Sequence, residues 1–451
     1  MEEQDKLSAV SEEETQGNAT ENAQDAQTVA DVTAGGGMPS SPPKNRVDKF
    51  FGITKSGSNF KTEIVAGVTT FMAMVYILLV NAGSGMFTAL NPVTGVPIIP
   101  GLSFEAMYIA TALGAVAGTV FMALIARMPL AQASGMGINA FIVWTLLLNN
   151  TGLTYANCMM FTLLEGAIFV ILTVTGLRKK IFEAIPTAVR HAIPVGIGLF
   201  IAFIGMQNAG IIVANGSTLV SFKSFNVLAD GFTYVGILTP LVAILGVLAI
   251  AVMSKKKIKG AVLWGILGSA VLYYALAGLG VAAKAGGCKD IFTAISMDNP
   301  FHAFKLWGKQ SAGKVFTEGF KFDTYLGIEG NNAGTLVVLL LTSALSMCML
   351  DMFDTLGTLY GACSKGNLLD ETGKPIRMER MLLSDAIGTC VGAVAGTSTV
   401  TTFVESSAGV TAGGKTGFAA LVTAGCFLLA MFLSPIAKLP LCCHCARAYL
   451  G

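Results

Sequence analysis

Between Ala333 and Leu350 the chain runs "AGTLVVLLLTSALSMCML", eighteen residues without a charge. About twenty apolar residues in a helix cross the hydrocarbon core of a bilayer. Comparable runs recur at about 63–83, 105–127, 130–148, 154–177, 185–208, 233–253, 258–281, 334–361, 380–396, 397–413 and 416–437, numbered here as spans 1 to 11. In lipid every backbone N–H and C=O must find a partner inside the protein, so only helices or a closed barrel can span. Runs this long select helices. Composition agrees: 53% of residues are hydrophobic and 12% charged, against about a quarter charged in soluble domains. The expected fold class is an all-α polytopic membrane protein.

The first 43 residues differ. They hold nine Asp or Glu, one Lys and almost no large apolar side chain. Such a segment cannot bury enough surface to offset its ordering entropy, so a disordered acidic tail is expected. It has neither the basic start nor the apolar core of a signal peptide. The nine Cys show no paired spacing before the last residues, so no disulfide framework is expected.

Positive charge tests the span count. Lys44, Arg46, Lys49, Lys55 and Lys61 precede span 1, and Arg127 separates spans 2 and 3. Arg178, Lys179 and Lys180 follow span 4, and Lys255, Lys256, Lys257 and Lys259 separate spans 6 and 7. Lys365, Lys374, Arg377 and Arg380 separate spans 8 and 9, and Lys415 follows span 10. All fall on one side when the N-terminus is cytoplasmic, which also makes 286–332 a long external loop.

Two spans are irregular. Span 3 begins "PLAQASGMGINAFI" and span 10 begins "GTSTVTTFVESSAGVTAGG". Both are rich in Gly, Ser and Thr, and "TSTVTTFVE" is a β-branched run that reads as extended chain. Extended chain at membrane depth is tolerated only inside protein or beside a cavity. The offset of seven, span 3 to span 10, points to inverted repeats of seven spans with a binding site at the matching breaks.

Three carboxylates lie near those breaks. Asp351 and Asp354 in "LDMFDTLGTL" share one face of span 8, and Glu405 stands where the extended half of span 10 gives way to helix. A charge at the bilayer centre costs about 2.5–3.5 kcal/mol on insertion scales, so it is paired or functional. The freed N–H groups of a helix start after Glu405 would add donors. Asn139, at the break of span 3, both donates and accepts. These groups suit a planar ligand with several N–H donors and ring-nitrogen acceptors, and Phe141 and Phe403 offer faces for its ring. The bland alternatives are an Asp that caps a broken helix or bonds a neighbouring hydroxyl, and phenylalanines that only pack. Glu165 in span 4 and Asp385 in span 9 have weaker claims. Gln207 and Asn208 are read as satisfying the end of span 5, and His191 as interfacial. No hydrolase elbow, Walker loop or HExxH helix occurs, and both aspartates sit on one helix, unlike an intramembrane aspartyl protease, so no enzyme is expected.

At these residues the chain resembles a known family. "FFGITKSGSNFKTEIVAGVTTFMAMVYILLVN", "ASGMGINAF", "IGLFIAFIGMQNAGI", "DMFDTLGTLYG" and "GTSTVTTFVESSAGVTAGGKTG" are similar to the adenine/guanine/hypoxanthine permease branch of the nucleobase:cation symporter 2 superfamily, from about Val47 to Pro440. The resemblance implies a seven-plus-seven inverted-repeat transporter with short strands in spans 3 and 10. Spans 1–4 (44–180) and 8–11 (333–440) would form a core domain, and spans 5–7 (181–285) part of a gate domain. It implies purine uptake coupled to protons by alternating access in a bacterial inner membrane, no cofactor beyond the proton, no nucleic-acid partner, and a possible homodimer. Asn139, Asp351 and Glu405 match the family's substrate-binding residues, and Asp354 a second acid assigned to proton coupling together with Asp351 and Glu405.

The chain departs from the pattern at its end. Spans 12–14 of the family are missing, and 441–451 read "CCHCARAYLG" after Leu441. Shifted by one base, codons for these residues permit a continuation like the family's, so a frameshift is expected and a zinc site is not. Other substrates of the same architecture (xanthine, uracil, an inorganic anion) and a truncated product that does not transport stand as the rival readings.

Overall fold

In the computed structural model, described residues run through 45–83, 97–148, 152–184, 234–256, 261–282, 300–371 and 373–437, with shorter pieces at 87–88 and within 192–223. The acidic tail, most of span 5 with His191 and Asn208, part of the 286–332 loop and residues 441–451 lie outside them. The chain divides into two compact units, Met1–Gly57 and Ser58–Gly451. In the first, helix Arg46–Phe51 ends at Gly52 with φ 71°, a left-handed turn that glycine adopts without strain. Asp48 ties the following loop by accepting from Thr54 N at 2.9 Å and Thr54 Oγ1 at 2.6 Å.

The second unit holds the membrane spans. Among the described residues, six helices are long and apolar enough to cross a bilayer: Phe60–Ala82, Phe104–Ala126, Tyr155–Val174, Gly236–Lys255, Trp264–Val281 and Ala333–Lys365. They are spans 1, 2, 4, 6, 7 and 8. Span 9 is one helix, Met378–Ala395, and span 11 runs Gly417–Ala430 with a further turn. Caps set the starts: Asn59 accepts from Thr62 N, Ser103 from Ala106 N, and Thr154–Asn157 and Asn332–Thr335 close reciprocal boxes. Span 8, at 33 residues, is about 50 Å long and so outreaches the hydrocarbon core.

Spans 3 and 10 are broken as expected. Strand β1 (Gln132–Ser134) leads into helix Met136–Ala140 and then a π-helical stretch, Phe141–Leu147. Strand β4 (Val400–Thr402) leads into helix Ser406–Thr411. The two strands pair antiparallel, Gln132 opposite Thr402, Ala133 opposite Thr401 and Ser134 opposite Val400. Gly135 N to Thr399 O at 2.9 Å and Phe403 N to Ala131 O at 3.1 Å extend the ladder. All six paired residues are buried, which is how extended backbone survives at membrane depth.

The contacts carry the inverted repeat. Exchange span 1 with 8, 2 with 9, 3 with 10 and 4 with 11. The packing of span 9 on 4 then becomes that of span 2 on 11, and the packing of span 1 on 11 becomes that of span 8 on 4. Each of these contacts exists. Spans 2 and 9 cross on matching glycines, Gly114 and Gly118 against Gly388 and Gly392, at equal offsets from their helix starts. A Cβ at Gly118 would meet Val400 Cγ1 at 2.6 Å, and one at Gly392 would meet Val400 Cγ2 at 2.6 Å. Small residues thus let both helices close on the strand pair.

Two features differ from expectation. The loop 286–332 is folded where described: Pro300–Gln310, Lys314–Thr317 and Asp323–Leu326 are helical. It covers helix ends, with Trp307 Nε1 donating to Ala395 O at 2.8 Å, Gln310 Oε1 accepting from Ser103 N at 2.9 Å, and Asn157 Nδ2 donating to Gly319 O at 2.9 Å. A second strand pair, β2 (Ile212–Asn215) with β3 (Leu219–Phe222), follows span 5. The side chain of Asn215 organises its turn by accepting from Ser217 N and Thr218 N.

Candidate functional site

The polar residues around the strand pair fall into three groups, where the sequence suggested one. Asn139 belongs to the first. It is fully buried and bonded within the protein: its Nδ2 donates to Asn81 Oδ1, and its Oδ1 accepts from Ser134 Oγ at 3.3 Å and from Ser398 Oγ. Asn81 Nδ2 in turn reaches Thr111 Oγ1 at 2.7 Å and Thr397 Oγ1 at 3.2 Å. This network ties spans 1, 2, 3 and 10 together beneath the strands. The Oδ1 of Asn139 is filled, while one N–H of its Nδ2 has no bond among those described, because a side-chain amide offers two donors and one two-lone-pair acceptor.

Asp351 belongs to the second group, a fully buried charge cluster. Arg178 Nη2 lies 3.2 Å from Asp385 Oδ2 and 3.6 Å from Asp351 Oδ2. Its Nη1 donates to Leu382 O at 3.2 Å and its guanidinium lies 4.1 Å from the centroid of the Phe169 ring. Thr355 Oγ1 is within 3.3 Å of Asp351 Oδ1, 2.9 Å of Asp385 Oδ2 and 2.8 Å of Thr401 Oγ1. Glu165 Oε2 accepts from Thr399 Oγ1 at 2.6 Å, and Gln132 Nε2 reaches Asp385 Oδ1 at 3.4 Å. Spans 4, 8 and 9, both strands and helix Leu177–Ala184 all contribute. Arg178, counted from sequence among cytoplasmic surface charges, has no exposed side chain. Paired carboxylates on spans 8 and 9 draw it inward, because a buried guanidinium is tolerated only beside such partners.

Glu405 and Asp354 form the third group, and both are half-buried. Tyr76 Oη donates to Glu405 Oε1, from the point where span 1 is interrupted at Val75. Asp354 interacts electrostatically with Glu405 and with Tyr76. A Cβ at Gly135 would lie 3.7 Å from Asp354 Oδ2, so this acid sits against the strand-to-helix turn of span 3. Phe403 is 7% exposed and Phe141 half-buried, and both pack at the main apolar core. The first N–H groups of the six-residue helix after Glu405 donate to backbone carbonyls, Ser406 N to Phe403 O at 3.2 Å and Ser407 N to Val404 O at 2.9 Å, so they are not the free donors expected there.

The expected union of Asp351 with Glu405 is therefore replaced by Asp354 with Glu405. Residues three apart on a helix are neighbours but diverge by about 60°. Asp351 turns to Arg178 on the side of Thr355, its i+4 neighbour, while Asp354 turns to the breaks. Tyr76, Asn81, Gln132 and Arg178 were missed from sequence. Tyr76 and Asn81 are polar breaks in an apolar run, a signal open to reading. Arg178 carried none, since it opens a basic run.

Among the described residues, no group of three or more His, Cys, Asp or Glu is arranged to hold a metal ion. The arrangement can present two carboxylates, one held by a phenol, to donors on a small ligand.

Comparison with known proteins is consistent with this geometry. A protein-family model described as a permease family matches residues 61–440. A permease of Methanocaldococcus jannaschii is 36% identical over 87% of this chain and 78% of its own length. The guanine/hypoxanthine permease PbuO of Bacillus subtilis is 33% identical over 86% of this chain and 78% of its own. The adenine permease AdeP of Escherichia coli is 33% identical over 87% and 76%. The transmembrane domain of a cyanobacterial bicarbonate transporter, BicA, shares the fold, with a TM-score of 0.52 at 15% identity over 86% of both chains. With the repeat, the broken spans and this match across most of its length, the chain belongs to the nucleobase:cation symporter 2 permease family, and is a multi-pass membrane permease, not an enzyme.

Proposed function

We propose that the chain binds and carries a purine nucleobase (adenine, guanine or hypoxanthine) across a cell membrane, taken up with protons by alternating access. The single observation that carries the reading is the half-buried pair Asp354 and Glu405 at the breaks of spans 1, 3 and 10, within a family whose relatives include guanine/hypoxanthine and adenine permeases. A purine presents adjacent N–H donors, and a carboxylate accepts two side by side. Glu405 takes this role, oriented by Tyr76, and Asp354 accepts a further donor. Phe141 and Phe403 flank the ring. Asn139 acts as a positioning residue that holds the strands in register beneath it. Spans 1–4 and 8–11 serve as the core domain and spans 5–7 as the moving gate, with the N-terminus cytoplasmic.

An inorganic-anion substrate fits less well. The buried cation beside these breaks, Arg178, already faces Asp351 and Asp385. For a neutral purine, one proton moving down a 100 mV potential releases about 2.3 kcal/mol, which sustains roughly fifty-fold accumulation.

The test is binding and uptake of labelled adenine, guanine, hypoxanthine and uracil by the chain in proteoliposomes, with Glu405→Gln and Asp354→Asn alongside. Saturable purine binding lost in both variants supports the reading. Equal binding of uracil and purines, or unchanged binding in both variants, overturns it.

A further inference from the structure

The charge cluster beneath the strands is unbalanced. Glu165, Asp351 and Asp385 are three carboxyls, and all are fully buried. Arg178 is the cation among them, and its Nη groups are taken by Asp385 and Leu382 O. Two carboxyl oxygens are left without a hydrogen-bond partner among the described residues: Glu165 Oε1, and Asp351 Oδ2, whose ion-pair contact with Arg178 Nη2 is 3.6 Å long and shared with Asp385. The two groups act on each other electrostatically. The other groups facing them add no positive charge: the thiols of Cys348 and Cys390 beside Glu165, and Asp354 beside Asp351. A buried charge without a close partner is strongly unfavourable, and among the described residues no group has the ligand set of a metal.

We propose that the coupling proton resides on Glu165 or Asp351, not on the purine-facing pair, and that Arg178 is the positioning residue that keeps Asp385 as the cluster's ionised member. This rests on the proton-coupled reading given above. The step is a plain acid–base one. A proton from water adds to Glu165 Oε1 or Asp351 Oδ2, removes one negative charge from the buried cluster, and leaves the same way. The link to substrate runs along span 10. Thr399 bonds Glu165, Thr401 bonds Thr355 of the cluster, and Glu405 follows on the same segment. Protonation beside β4 thus acts on the segment of span 10 that carries the purine acceptor three residues past the strand.

The experiment uses the full chain in lipid nanodiscs. Infrared difference spectra between acid and alkaline pH, without purine, read the carbonyl band of protonated carboxylic acid. The band is expected to titrate in the wild type, to shrink in Glu165→Gln and Asp351→Asn, and to persist in Asp354→Asn and Glu405→Gln. Glutamine suits the site, since its oxygen still accepts from Thr399 and its NH2, like the O–H, is uncharged. A band unchanged in both Glu165→Gln and Asp351→Asn, or abolished in Asp354→Asn or Glu405→Gln, overturns the inference. Calorimetry with hypoxanthine in two buffers of different ionisation enthalpy then counts protons taken up on binding. Proton uptake in the wild type that vanishes in Glu165→Gln while hypoxanthine still binds supports the assignment, and uptake equal to wild type in Glu165→Gln overturns it. Absent hypoxanthine binding by the wild type sinks the purine reading instead, while the infrared band still decides the proton's place.

Discussion

Asp351 and Asp354 stand three residues apart on one helix, yet they occupy different chemical worlds. Asp351 is sealed among Glu165, Asp385 and Arg178, with hydroxyls of Thr355, Thr399 and Thr401 around them. Asp354 is half-buried and faces Glu405 and Tyr76 across the breaks. The contrast teaches that the number of acids in a membrane helix says little by itself. The neighbours that each acid meets decide whether it joins a sealed charge cluster or stays available to a ligand.

The largest effect should come from breaking the sealed side. Arg178→Ala strands Asp385 without its counter-charge, at a cost of about 3–5 kcal/mol, a substantial part of a typical fold's stability. Thermal unfolding in detergent should fall sharply, whereas Glu405→Gln should leave the midpoint near that of the wild type. Equal midpoints for both variants would erase the distinction between the two regions.

Next in size are the glycine crossings that hold both regions against the strands. Gly118→Val and Gly392→Val push a branched side chain into Val400, and overpacking of this kind costs about 1–3 kcal/mol. The same melting assay should rank them below Arg178→Ala. Because the two glycines are related by the repeat, their effects should be similar.

On the open side, Glu405→Gln removes a charged acceptor. Hydrogen bonds to charged groups contribute about 1.5–3 kcal/mol, so purine affinity should drop by roughly ten- to a hundred-fold, as read by equilibrium binding. The smallest expected effect sharpens the same region: Tyr76→Phe deletes only the phenol that orients Glu405. A few-fold loss of affinity, about 0.5–1.5 kcal/mol, with unchanged melting would fit. A loss as large as that of Glu405→Gln would mean that Tyr76 itself contacts the ligand.

Much of this was open to reading in the residues. The apolar runs set the spans, because a bilayer of fixed thickness demands helices of matching length. The β-branched "TSTVTTFVE" and the Gly- and Ser-rich "AQASGMG" marked the two breaks, and the structure pairs them as strands. The Gly114/Gly118 and Gly388/Gly392 match was also present in the letters, though it shows its purpose only when Val400 is seen between the helices.

Partners distant in sequence were not legible. Nothing near Arg178 in the chain announces Asp385, and nothing near Tyr76 announces Glu405. By itself, then, the sequence determined that this chain spans a membrane with helices, where two of them break, and which acids are costly enough to require a reason. Hydropathy and local backbone preference act over a few residues and survive in one dimension. Only the tertiary structure decided which acid faces a cation and which faces a phenol, because that choice depends on side chains brought together by antiparallel strands and crossing helices.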